Sequence, residues 1–313
     1  MSKEQSVGIF LVGDDMIDKG LAGASVSWEL VDEIDHAELV SQLTLAEIGH
    51  TPEKPTPASA LARTISKLYK DRSCLVKAVP NPTGSKSPAY GVLPRKDEDG
   101  RMTFKETWSV GLDTAEDGMV VLAWSDSAPD QARDDVEVLF PAAMLNMGRV
   151  EQSLWLTSLV KHHLRGVPTI GGAGTYFIAP AEVHVWRKLR EVLRPYGVRL
   201  YEIPAMKSTQ ALECVVESVR RYTQTAIDEL NADLAQYQEQ KRQEAVDAAA
   251  GKKVRAIQRR VLDGRQARIA EQLAVVEKYE SLFDSKMDEL RSSLSELQAG
   301  FTLLDLGGSA SPL

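Results

Sequence analysis

Apolar residues recur every three or four positions through the last third of the chain, from Ser208 to Gly300, a stretch without proline. Leu212, Val215, Val219, Tyr222, Ala226, Leu230, Leu234 and Tyr237 fall on one face of an α-helix at that spacing. A second seam follows in Ile269, Leu273, Val276, Phe283, Met287, Leu290, Leu294, Leu297 and Phe301, close to a heptad in its last half. One unbroken helix would run to about 140 Å with nothing to cover its seam, so the pattern predicts two arms folded back on each other. The seams fade after Tyr237 and resume at Ile269, symmetrically about residue 253. Gly251, which can adopt the left-handed conformation that ends a helix, marks the expected turn.

The earlier pattern changes period. Val7–Val12 and Ser25–Val31 read as strands, Asp35 opens a helix to about Ile48, and the prolines between Thr51 and Pro57 exclude helix there. Ser59–Tyr69 fits a short amphipathic helix. Cys74–Val79, Ala89–Leu93, Met102–Leu112 and Met119–Trp124 read as four strands separated by turn-rich segments, hence an antiparallel meander. Asp130–Arg165 turns helical, with Pro141 expected to break it early. A strand at Thr175–Ala179, a helix from Pro180 to near Gly197 and a strand at Val198–Ile203 complete the series.

These elements predict an α+β protein: an antiparallel β-sheet head with flanking helices over residues 1–204, then a long antiparallel α-helical (coiled-coil) hairpin over 205–304. Residues 305–313 read as a disordered tail. The head subdivides into an acidic segment 1–60, the β-meander at 73–124 and an α/β segment 130–204.

Charge sharpens this picture. The 313 residues carry a net −8, while Gln238–Arg268 holds nine basic residues against four acidic ones. The first sixty residues hold eleven acidic side chains against three basic ones. Lys252, Lys253, Arg255, Arg259, Arg260, Arg265 and Arg268 therefore form the candidate binding site, a basic hairpin tip suited to an acidic partner. The competing reading of the tip is a solvated surface.

Catalytic chemistry finds little support. Gly171-Gly172-Ala173-Gly174 precedes a strand, whereas a dinucleotide loop follows one and opens a helix. The five histidines show no metal-ligand spacing within a helix, and no nucleophile elbow is present. The carboxylate groups Asp14-Asp15, Asp113/Glu116/Asp117 and Asp130/Asp134/Asp135 are explained by turns and caps. Cys74 and Cys214 sit among apolar neighbours and read as buried, reduced thiols. No leader or membrane span is evident, so the expected compartment is the cytoplasm. Neither a cofactor nor a metal is expected.

The sequence thus points to a non-enzymatic assembly or adaptor protein whose hairpin makes protein–protein contacts or self-associates. Its first alternative is a nucleic-acid-associated protein using the basic tip; its second is a metal-dependent hydrolase using the loop carboxylates.

Overall fold

The computed structural model describes residues 21–70, 74–98, 101–104, 108–115, 119–169, 174–249, 258–283 and 286–306. The expected strand at Val7–Val12, the Gly251 turn and tail residues 307–313 lie outside these. The fold is α+β, with antiparallel sheets and long C-terminal helices, and it divides into two compact units. One comprises Met1–Trp28, Thr157–Arg187 and Leu200–Leu313; the other comprises Glu29–Leu156 and Lys188–Arg199. The long helices therefore share a unit with strands from the expected head, where the sequence divides the chain at residue 204.

The second unit is built on the meander. Strands β3 (Cys74–Val79), β4 (Ala89–Glu98), β6 (Trp108–Thr114) and β7 (Val120–Trp124) pair in that order, all antiparallel, with β5 (Arg101–Phe104) pairing β4. Its inner face packs Val92, Trp108 and Val110 on Leu61 and Ile65 of α2 (Pro57–Tyr69) and on Ala132 and Val136 of α3 (Asp130–Leu145). Helix α1 (His36–Leu45) starts where Asp35 accepts from the Glu38 N–H at 2.8 Å. Pro141 does not break α3 as the sequence suggests. The helix runs through it, and the chain leaves helix at β8 (Asn146–Gly148), which pairs antiparallel with β2 (Glu33–Asp35). Arg63 of α2 fixes this exit: Nη2 donates to the carbonyls of Ala143 at 2.5 Å and Asn146 at 2.7 Å, and Nη1 meets Glu151 at 3.1 Å. Those carbonyls belong to the orphan set that every helix C-terminus must satisfy. Val136 and Ala143, on either side of Pro141, are both buried.

Helix α5 spans Pro180–Leu193. The first unit joins a four-stranded sheet to a helical bundle. Strand order is β11 (Arg199–Met206), β1 (Leu21–Glu29), β10 (Tyr176–Ile178), β9 (Val167–Pro168). At Gly23 of β1, φ is +149°, and an added Cβ would lie 2.2 Å from the Phe177 ring and 2.3 Å from the Ile178 carbonyl oxygen. Only glycine leaves that space. Among the described residues the bundle has three helices rather than the two arms expected: α6 (Thr209–Ala249), α7 (Arg259–Phe283) and α8 (Asp288–Leu306). Arg268 meets Glu229 and Arg265 meets Asp233, so α7 runs antiparallel to α6. Tyr237 lies edge-on to Phe301 and Lys241 donates to the Leu304 carbonyl, so α8 runs parallel to α6. The expected second arm is thus broken between Phe283 and Asp288. Glu280 stabilises the reversal, taking the Met287 N–H at 2.6 Å and pairing with Arg291. Helix α8 also continues through Asp305 and Leu306, the start of the expected tail.

Val219, Ile227, Leu230, Ile269, Val276, Leu294, Leu297 and Phe301 form one buried core with Phe177 and Val167 of the sheet. Leu262, inside the segment expected to be polar tip, is buried in the same core. Cys214, expected to be buried, is exposed on α6 because it lies one position off the seam before Val215. Leu294→Ala should cost about 2 to 5 kcal/mol in denaturant unfolding, the range for emptying a leucine site in a packed core. Leu303→Ala, at a residue 70% exposed on the same helix, should shift stability by at most about 0.5 kcal/mol. Equal losses for the two would contradict the assigned faces.

Candidate functional site

The basic residues singled out by charge do not gather into one exposed cluster among the described positions. Lys252, Lys253 and Arg255 lie outside the described residues. Arg259 and Arg260 are exposed at the start of α7, with Arg259 3.9 Å from Asp305 of α8. Arg265 sits 2.9 Å from Asp233 as an ion pair whose N–H is not aimed at the carboxylate. Arg268 pairs with Glu229. The last two cations therefore tie α7 to α6 instead of facing an outside partner.

Arg268 lines a cleft in the first unit, open to solvent and about 610 Å³ in volume. Its other walls come from Lys161 and His162, from Arg221 and Tyr222 on α6, and from Glu271 and Gln272 on α7. A second cleft of about 660 Å³ lies between α6 and the start of α8, but Glu217, Arg220, Lys286, Asp288 and Glu289 on its walls are all exposed. The first cleft differs by having a buried polar floor. Gln272 is 2% exposed, and its Oε1 has no hydrogen-bond partner. The Tyr222 hydroxyl on the same cleft is pushed up from its ordinary value, chiefly by burial. That hydroxyl therefore keeps its proton at neutral pH and remains a donor.

Lys161 and His162 reach the cleft through an unusual helix end. Helix α4 (Arg149–Ser158) passes into a single π-turn at Leu159–His163, in which the Leu164 N–H donates to the Leu159 carbonyl at 2.9 Å. Such turns occur mostly as isolated insertions and recur at functional sites. Arg165 then takes a positive φ of 50°, uncommon for a non-glycine residue. Helix α7 holds this turn from the other side. Lys278 Nζ donates to the Leu164 carbonyl at 3.0 Å and to Glu182 at 2.8 Å, and Tyr279 Oη shares its one proton between the carbonyls of Arg165 at 3.2 Å and Phe177 at 3.4 Å. His162 Nδ1 lies 2.5 Å from Glu271 Oε1, and Lys161 Nζ sits 5.9 Å from the centre of the Tyr176 ring. The sequence marks none of these residues as a site; His162 belongs to the five histidines without metal-ligand spacing.

The family described as one of unknown function, DUF6744, matches residues 23–305. The chain belongs to that family. No curated protein and no solved structure matches it. The matched span of this DUF6744 chain takes in both units, the π-turn and the whole cleft.

Burial raises the Tyr279 hydroxyl well above the ordinary tyrosine range, with nearby Glu182 adding to the effect. Because the folded state holds the neutral phenol, this contribution to stability is complete below about pH 10 and falls as pH rises above it, where the unfolded chain's tyrosine ionises. Tyr279→Phe should cost about 1 to 3 kcal/mol at neutral pH by stranding the carbonyls of Arg165 and Phe177. In urea unfolding measured from pH 7 upward, the gap between parent and variant should narrow above about pH 10. A gap that stays constant would show that this hydroxyl is not buried.

Proposed function

We propose that this DUF6744 chain is a non-enzymatic assembly or adaptor protein that works through protein–protein contact, including contact with further copies of itself. The observation that supports this most is the apolar exposure of α3 and α4. Val138 and Leu145, seven residues apart on α3, are 74% and 58% exposed; Val150 and Leu154, four apart on α4, are 68% and 66% exposed. Each pair repeats at helical spacing and so lies on one helix face. Isolated exposed apolar residues are ordinary, whereas stripes of them mark contact surfaces. Burying each such side chain contributes about 1.5 to 3 kcal/mol.

The bundle supplies a second, polar contact element in this reading. Helix α6 continues past Lys241, which lies beside Leu304 near the end of α8, so the far end of α6 projects beyond the third helix and leads into Lys252, Lys253 and Arg255. The nucleic-acid alternative needs those cations free for phosphate, and Arg265 and Arg268 already face carboxylates. The hydrolase alternative needs carboxylates converging on a metal. Among the described residues, no group of three or more His, Cys, Asp or Glu is placed to hold one.

Sedimentation velocity over a range of concentration and salt tests the proposal. Association through apolar stripes should grow with concentration, change little with salt, and be lost in a Val138→Glu, Leu154→Glu double variant that melts like the parent. Arg259→Glu with Arg260→Glu should leave that association in place. A chain monomeric at every concentration, or an assembly indifferent to the apolar double variant, would overturn it.

A further inference from the structure

We infer that the outer face of α3 is a docking surface for a basic amphipathic helix of a partner protein, an inference that rests on the contact function proposed above. The first property that points there is an unbroken apolar stripe. Val138, Pro141, Ala142 and Leu145 recur at i, i+3, i+4 and i+7, and all four are exposed. That is the spacing at which one amphipathic helix meets another laid along it. Pro141 and Ala142 at the centre are small, so a second helix axis can approach to about 8 Å, with Val138 and Leu145 standing at either end of the contact.

The second property is charge. Asp130, Asp134 and Glu137 are exposed on the first two turns of α3, and Asp134 lies one turn before Val138 on the line of the stripe. Asp135, half-buried between them, accepts from Gln131 Nε2 at 2.8 Å. Asp130 suits the positive end of the helix dipole, but that effect is spent within the first turn and does not explain Asp134 or Glu137. Nearby cations are engaged elsewhere. Arg133 donates to the carbonyls of Ala128 and Ser125 and lies 5.8 Å from the centre of the Trp124 ring. Arg63 and Arg149, toward the other end of the helix, face Glu151 and Asp32.

Pro141 adds an acceptor to the same side. It has no N–H, so the Glu137 carbonyl lacks its partner one turn on. A lysine or arginine flanking the apolar line of a docked helix meets that carbonyl together with the carboxylates of Asp134 and Glu137. A face that is apolar along its line and only accepting at its acidic end selects a helix with a cationic flank. The same carboxylates repel phosphate, which disfavours nucleic acid and an anionic bilayer as occupants. Two apolar turns make a small contact, of the weak and reversible class.

Fluorescence anisotropy of labelled peptides titrated with the full chain tests the assignment. The probe is a peptide of about 18 residues with Leu at i, i+3, i+4 and i+7 spacing and Lys elsewhere; one counterpart has Glu in place of Lys, and another has the same Leu and Lys in shuffled order. The ordered Leu/Lys peptide should bind with a dissociation constant of about 10 to 100 µM, at least about tenfold more tightly than either counterpart. Val138→Ser with Leu145→Ser should weaken it about tenfold, whereas Leu303→Ser, an exposed leucine on α8, should not. Asp134→Lys with Glu137→Lys should weaken the Lys peptide about tenfold and let the Glu peptide bind instead. Glu213→Lys with Glu217→Lys, the same change of charge on α6, should do neither. All of these side chains are exposed, so each variant should melt like the parent. Equal binding of the Lys and Glu peptides, equal weakening by the α3 and α6 charge reversals, or no anisotropy change with the chain at about 1 mM would each overturn the assignment. Copies that associate while the Lys peptide finds no site would sink this inference and leave the contact function standing; a chain that binds the peptide but stays monomeric would keep the docking face and remove contact between copies.

Discussion

A helix pair with a continuous apolar seam buries only the surface that the two helices show each other, and the rest of this fold's first unit follows from what covers the remainder. Tyr237, Leu234 and Val219 on α6, with Val276 and Tyr279 on α7, form a seam too broad for two helices to close. Leu290, Leu294, Leu297 and Phe301 of α8 fill the open side on one flank, and Phe177 and Val167 of the sheet fill it on the other. At about 1.5 to 3 kcal/mol for each large side chain buried, this core outweighs any ion pair on the bundle surface, where exposed pairs contribute about 0 to 1 kcal/mol. The reversal after Phe283 is the consequence. A single longer arm would leave the seam of α6 uncovered beside α8's present position.

Much of this was legible from residue spacing. The meander strands, the Pro180 helix and the seam of α6 follow from period-two and period-3.6 patterns that burial then satisfies. The third helix was not, because the residues of α8 continue the helical spacing of α7 without proline or glycine between them. The reversal depends on Glu280, which reaches from α7 to the first turn of α8, a contact between residues that local pattern cannot rank above any other surface glutamate. Pro141 misled in the opposite sense. Propensity assigned it a break, but Arg63, far away in the chain, satisfies the α3 carbonyls at Ala143 and Asn146 and so sets where that helix ends.

The candidate site was less legible than the fold. Charge counting found Arg265 and Arg268 but could not see Asp233 and Glu229 one helix away, which turn those arginines into internal cross-links. Gln272 looked like an ordinary polar position beside the seam. What makes it unusual is burial without a partner for its side-chain oxygen, a property that exists only once α6 and α7 are side by side. Lys161 and His162 depend on a π-turn, whose extra residue leaves no mark in the sequence pattern.

That π-turn makes residue count itself a structural variable. Each residue of an α-helix turns the chain by about 100°, and the turn at Leu159–His163 holds one residue more than an α-turn would. Removing any one of the five would leave the residues of a regular α-turn between the same two ends, so the chain that follows keeps its direction while the helix loses the widened turn that carries Lys161 and His162. A substitution there changes one side chain, whereas a single-codon deletion removes the turn itself.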